Sequence, residues 1–146
     1  MEYSFDYCKL FGQIYLSDDK KACALISFPD RKRTNFRSVL LDINLITKSA
    51  GISNISKILT REKLIEQNYP SSEIYYLWFI GVAPENQNQG LGKKLLTEII
   101  HDANQMNRPI YLETSTEKNL SWYQKAGFEI YNQLDFGYPL FLMRRK

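Results

Sequence analysis

The sequence predicts an α/β (α+β) domain, because strand-like and helix-like segments alternate along it. Residues 74–96, reading IYYLWFIGVAPENQNQGLGKKLL, give the strongest evidence. They begin as a run of aromatic and β-branched residues suited to a buried strand. The run breaks at Val82-Ala83-Pro84 and passes through polar residues to Gly90-Leu91-Gly92. Leu91, Leu95, Leu96, Ile99 and Ile100 then recur at a spacing that places them on one face of a helix. The second piece of evidence lies downstream, where short apolar runs flank a single helical stretch.

Taken in order, residues 3–16 read as the first arm of a hairpin, with Leu10, Gly12, Ile14 and Leu16 alternating against Phe11, Gln13 and Tyr15. Ser17-Asp18-Asp19-Lys20-Lys21 makes a polar turn, residues 22–28 form the second arm, and Pro29-Asp30 ends it. Residues 31–70 read as helical. Phe36, Leu40, Leu41, Ile43 and Leu45 suggest one short helix, stopped at Lys48-Ser49-Ala50-Gly51. Asn54 is a candidate N-cap for a second, carrying Ile55, Ile58, Leu59 and Ile65 and ended by Pro70. Beyond the central strand and helix, residues 109–114 (PIYLET) are a strand candidate and residues 119–125 (NLSWYQK) a helix. Ala126-Gly127-Phe128 then turns the chain into a strand at 129–134. Asp135-Phe136-Gly137 turns it again into a last strand at 138–144. With no repeat, low-complexity tract or linker, 146 residues are expected to form a single domain.

Composition removes several classes of function. A net charge of +3 is too small for the concentrated basic face of a nucleic-acid binder. The cluster Arg31, Lys32, Arg33 and Arg37 therefore reads first as a solvated face. His101 is the only histidine, so a His-based metal site and a serine triad both lack parts, and no metal is expected. Cys8 and Cys23 stand far apart without a CxxC pattern, which favours reduced thiols. No apolar run reaches membrane-spanning length and no signal-peptide pattern opens the chain. A cytoplasmic protein is expected.

The glycine turn carries the chemistry. A strand feeding a glycine turn that opens a helix aims unpaired backbone N–H groups at an anion, and glycine lets a phosphate come close. The turn is not a nucleoside-triphosphatase loop, since no Lys-Ser or Lys-Thr follows the second glycine, and it lacks the third glycine of a dinucleotide fingerprint. Gln87-Asn88-Gln89-Gly90-Leu91-Gly92, after Val82-Ala83-Pro84, resembles the pyrophosphate loop of the GNAT superfamily of N-acetyltransferases. Downstream, Tyr111-Leu112-Glu113-Thr114, then Asn119, Tyr123 and Gly127-Phe128, are similar to the strand, Asn-x-x-x-Tyr helix and Gly-Phe order of that family. The likeness covers residues 73–146, about half of the chain. Family members usually open with a strand and a helical pair ahead of the hairpin. Almost no chain precedes Tyr3, so a shortened N-terminus is expected, with residues 31–70 as the substitute wall of the acceptor site.

The resemblance implies a mixed, mostly antiparallel sheet flanked by helices and splayed at its central strands. Acetyl-CoA is the implied cosubstrate and a primary amine the acceptor, in a monomer or homodimer. The pantetheine arm would lie in the splay, against the edge of residues 79–82 that includes Ile80, Gly81 and Val82. The pyrophosphate would sit on Gln87, Asn88, Gln89, Gly90, Leu91 and Gly92, with Lys93 adding charge. Direct attack in a ternary complex needs no enzyme nucleophile, and the sequence offers no obvious one. Tyr123 is the candidate acid beside the sulfur, since phenol (about 10) and thiol (about 8.5) are not far apart in acidity. Asn119 would hydrogen-bond the cofactor arm or a backbone group, and it is also a plain N-cap candidate, the two roles not being exclusive. Many relatives carry a glutamate on the strand before the loop; here the corresponding position falls near Tyr76. Glu113, an acid within an apolar strand, is the candidate base, with Glu73 as the lesser choice and a water relay also open. Tyr75, Tyr76, Trp78, Phe136 and Tyr138 are candidates to line the acceptor pocket. Two other readings stay open: a non-catalytic acyl-CoA-binding module, and a nucleic-acid adaptor built on residues 31–37.

Overall fold

The computed structural model describes residues 2–31, 60–70 and 73–146. Helix α1 (Glu2–Phe11) leads directly into β1 (Gly12–Leu16), and a tight turn returns as β2 (Ala22–Ser27). After helix α2 (residues 60–66) come β3 (Tyr75–Val82), α3 (Leu91–Gln105) and β4 (Ile110–Thr114). Helix α4 (Glu117–Lys125) and the hairpin β5 (Glu129–Asp135) and β6 (Pro139–Arg145) complete the chain. The strands form one sheet in the order β1-β2-β3-β4-β6-β5.

The N-terminal reading needs correcting: residues 2–11 are helical, and only Gly12–Leu16 forms the first hairpin arm. Apolar residues at 3, 5 and 7 imitate strand alternation. Tyr7, Cys8 and Phe11 are nevertheless buried at helical spacing, with Tyr7 set edge-on to Trp78 at 5.4 Å between centroids. The helix must then turn sharply into β1. At that corner a Cβ on Gly12 would lie 1.8 Å from the Ile26 carbonyl oxygen. Gly12→Ala is therefore expected to cost about 1–3 kcal/mol or more, a fall of roughly 5–10 °C in a thermal melt.

The predicted helix around residues 36–45, the Asn54 cap, and Lys32, Arg33 and Arg37 lie outside the described residues. The end of the second predicted helix is present as α2, with Ile65 buried against Leu140 and Leu142 and the helix over before Pro70. Each strand of the second half falls within a residue or two of its expected place.

Every strand pairing is antiparallel except β3 with β4, which is parallel and very short. Only Tyr75↔Ile110 and Tyr76↔Tyr111 are paired. From Leu77 onward the two strands part, while β3 stays bonded to β2 up to Val82 and β4 to β6 up to Thr114. The register between β2 and β3 slips at Leu25/Ile26, which face Phe79 and Leu77 and leave Trp78 as an extra residue. Such a bulge sharpens strand twist, and it falls where β3 leaves β4. It also resets the alternation, so that Ile80 and Val82 join Leu77 on the face covered by α3.

That face carries the larger core, where Leu95, Leu96, Ile99 and Ala103 of α3 meet Tyr75, Leu77, Ile110, Leu112 and Met143. The opposite face is aromatic: Tyr76 and Tyr111 pack with Ile74, Tyr69, Trp78 and Tyr131. The sheet thus presents two different surfaces on either side of a central gap.

Candidate active site

Helix α3 opens at the mouth of the gap. Its N-cap is Gly90, with φ 80° and ψ −3°, a left-handed conformation that glycine adopts without strain. A Cβ there would meet nothing within 4 Å, so backbone conformation rather than space calls for glycine. At Gly92 a Cβ would touch Val82 at 3.4 Å and Trp122 at 3.6 Å, ordinary contacts, so packing does not call for glycine there. No side chain caps the helix and no acidic residue stands in its first turn. The first internal bond is Lys94 N–H to Gly90 C=O, which leaves the earlier N–H groups without a helical acceptor. Exposed Lys93 and Lys94 add positive charge to that end. Gln87, Asn88 and Gln89 are exposed, and the Gln87 amide reaches back to the Val82 carbonyl at 3.4 Å. An uncapped, acid-free, electropositive helix end is a receptor for an anion.

Ile80, Gly81 and Val82, expected to meet the pantetheine arm, lie on the part of β3 that has left β4, and all three are half-buried. Their backbone groups facing the gap take no partner from β4, so an extended amide-bearing chain laid there would find donors and acceptors. The splay inferred from the resemblance is thus present in the pairing itself.

Glu113 sits on β4 just beyond the last β3 pair. Tyr76 and Tyr111 are register partners, and Glu113 follows two residues later on the same face, within reach of a long phenol. The Tyr76 hydroxyl donates a hydrogen bond to Glu113 Oε1. Burial raises the Glu113 carboxyl to about 7 and the Glu62 carboxylate adds to this, while the Tyr76 hydrogen bond and the Arg61 guanidinium hold it down. A carboxyl in that range can exchange a proton near neutral pH, as the candidate base must. Arg61 and Glu62 come from α2, where they form an ion pair at 2.9 Å.

Tyr123 approaches from the other face. It is buried between Trp122 (4.8 Å between centroids) and Phe128 (5.6 Å). Burial raises its phenol to about 12, and the Glu113 charge pushes in the same direction. The candidate acid and base are therefore electrostatically coupled although they belong to different faces of the sheet. Asn119 is half-buried in the first turn of α4 but does not cap it; Thr116 holds that position. The cap role is removed, which leaves Asn119 the cofactor arm or a backbone group.

Other expectations change as well. Glu73 is exposed ahead of β3. Tyr75 is wholly buried in the α3 core and donates to Asp102 at 2.9 Å beside Tyr15 at 2.6 Å, so it cannot line an acceptor pocket. Tyr76, set aside in the sequence because it is no carboxylate, proves to be the direct partner of one. Arg61 was not singled out at all, and its proximity to Glu113 depends on packing between remote segments that no local pattern signals.

A sheet parted between its parallel central strands, with an open helix end at the mouth of the parting, is the framework of a GNAT-type acetyltransferase domain. The family profile of the Acetyltransferase (GNAT) domain matches residues 55–130, just over half of the sequence, and the chain belongs to that family. Solved structures agree in fold. A GNAT family acetyltransferase from Elizabethkingia anophelis, determined with acetyl-CoA bound, has 18% identity and a TM-score of 0.59, over 99% of this chain and 82% of its own. A Corynebacterium glutamicum structure of histone acetyltransferase HPA2 and related acetyltransferase also has 18% identity and a TM-score of 0.59, over 89% of this chain and 60% of its own. This chain spans between 54% and 65% of the length of several such structures.

Proposed function

We propose that this chain is an acetyl-CoA-dependent N-acetyltransferase that moves the acetyl group to a primary amine by direct attack in a ternary complex. The observation that carries this reading is the coincidence of the uncapped α3 end with the place where β3 parts from β4, just ahead of Glu113. Acetyl-CoA supplies an activated acyl carbon on a thiolate leaving group; the chain supplies placement and proton handling. Backbone N–H groups of residues 87–92, helped by Lys93, hold the diphosphate. The free edge at Ile80, Gly81 and Val82 bonds the pantetheine amides, and Asn119 supports the arm from α4. Glu113 takes a proton from the amine nitrogen as that nitrogen bonds the acetyl carbon and the carbon–sulfur bond breaks. Tyr123 gives its proton to the departing sulfur, and solvent later restores both groups.

The acid step is feasible despite the raised phenol. Against a free thiol near 8.5, a phenol at about 12 would surrender its proton at a cost of about 5 kcal/mol. Any burial of the departing sulfur would raise its proton affinity too and lower that cost. Tyr123→Phe is expected to lower kcat roughly 100-fold while the Kd for coenzyme A changes less than about threefold. Unchanged turnover in that variant removes the acid role.

The described part of the 31–70 segment lies against the aromatic face, Tyr69 meeting Tyr76 and Tyr111 at 5.8 and 6.0 Å. We assign the acceptor to this side. No described helix is long and apolar enough to cross a membrane, and Cys8 and Cys23 are free, which supports a cytoplasmic setting. Incubating the protein with acetyl-CoA and a panel of primary amines, and following free thiol, tests the activity. Acceptor-dependent thiol supports the transferase; tight coenzyme binding with none from any amine supports the non-catalytic acyl-CoA-binding module instead.

A further inference from the structure

We propose that Tyr76 is a positioning residue that fixes Oε1 of Glu113 and leaves Oε2 as the oxygen that receives the amine proton. The inference rests on Glu113 as the base and adds how that base is held. Tyr76 is the last residue of β3 paired with β4, so it stands at the apex of the gap. Its backbone is gripped on both sides, by Ser27 of β2 and Tyr111 of β4. Its ring is set among Tyr69 at 5.8 Å and Trp78 at 6.1 Å.

The two oxygens of Glu113 are not equivalent. Oε1 accepts the Tyr76 hydroxyl, whereas no described residue donates to Oε2. Glu113 is half-buried rather than sealed in the core, so a second molecule can approach the carboxyl. The phenol keeps its proton throughout, since burial and the neighbouring Glu113 charge hold its pKa well above the usual tyrosine value. It therefore acts as a fixed donor. A donor to the ionised form stabilises that form and so opposes burial, which favours the protonated carboxyl. The other groups that face this carboxyl are Arg61 and Glu62 on α2, Tyr69 after it, Tyr123 on α4 and Tyr131 on β5. Arg61 draws the carboxyl down and Glu62 pushes it up. The three phenols are raised by burial, with the Glu113 charge adding to it, so they stay neutral while it titrates. Only Tyr76 is directly bonded to it among the described residues.

NMR of the whole chain tests this without an acceptor. In protein labelled at glutamate Cδ, Glu113 is expected to titrate near pH 7, and Tyr76→Phe should raise its midpoint by about 1–2 pH units. A midpoint that stays or falls overturns the proposal. Should the variant not fold, wild-type protein labelled at tyrosine Cζ answers the same question. The Tyr76 signal must inflect at the Glu113 midpoint, and a flat Tyr76 signal overturns the proposal. Failure of the base reading is separate: it appears as full turnover in Glu113→Gln, whatever the titration of the wild-type pair.

Discussion

Gly90→Asp is expected to abolish coenzyme A binding while leaving the domain folded. The position is exposed and a Cβ there meets nothing within 4 Å, so the added side chain is accommodated. The left-handed backbone costs about 1 kcal/mol for a side chain, and aspartate is among the residues that bear it best. What changes is the helix end. The new carboxylate lies at the N-cap, where it can accept the first-turn N–H groups that the diphosphate needs. It also sets like charge against like at close range, worth about 4 kcal/mol at 4 Å in surroundings of intermediate polarity. Together these predict a rise in Kd of at least about 1000-fold. Calorimetry with coenzyme A, beside a thermal melt, measures both halves of the statement. Gly90→Asn keeps shape and backbone demand without charge and should lose far less. A Kd for Gly90→Asp within about threefold of wild type would place the diphosphate somewhere else.

Glu113→Gln should lower kcat about 100-fold or more at pH 8 with little change in coenzyme A affinity. Wild-type activity should rise with pH through an acid limb near 7, because the base works only when ionised. The variant should show no such limb, and the two rates should converge near pH 5, where Glu113 of the wild type is protonated. The same substitution should stabilise the fold at pH 8. A carboxyl raised from 4.5 to about 7 on folding binds its proton more tightly in the native state. Its contribution is therefore most favourable below the unfolded value and is lost as pH climbs through the folded one. Removing it recovers about 1–3 kcal/mol above pH 7 and nothing near pH 4. Lower turnover joined to a higher melting temperature is the opposite of what damage to the fold produces. A variant that turns over normally at pH 8 removes Glu113 as the base.

Much of the fold is legible where a change of period is local. The run 74–96 passes from strand to glycine turn to amphipathic helix within one window, and it matches β3 and α3 closely. The helix–Gly-Phe–strand order of α4 and β5 is legible for the same reason. Residues 2–11 are not, because three alternating apolar residues imitate a strand and only packing of Tyr7, Cys8 and Phe11 decides for helix. The bulge at Trp78 is hidden too, since a slipped register belongs to two strands at once. At the candidate site, the Gly90 to Lys93 turn follows from the residues themselves. Glu113 stands out as an acid in an apolar strand. Its bond to Tyr76 does not stand out, because it depends on which residues of two distant strands lie side by side. Arg61 reaches the same place from an α2 packed across the sheet.

The central claim is spatial: a diphosphate on the N–H groups of α3, and the thioester between β3 and β4. A crystal structure of the protein grown with acetyl-CoA tests it most directly. The account predicts phosphate oxygens within hydrogen-bond distance of the backbone N–H groups around Gly90 to Gly92. It also predicts the acyl carbonyl in the gap beyond Tyr76, with the sulfur beside the Tyr123 hydroxyl. Coenzyme bound outside that gap, or with its diphosphate away from the helix end, contradicts it.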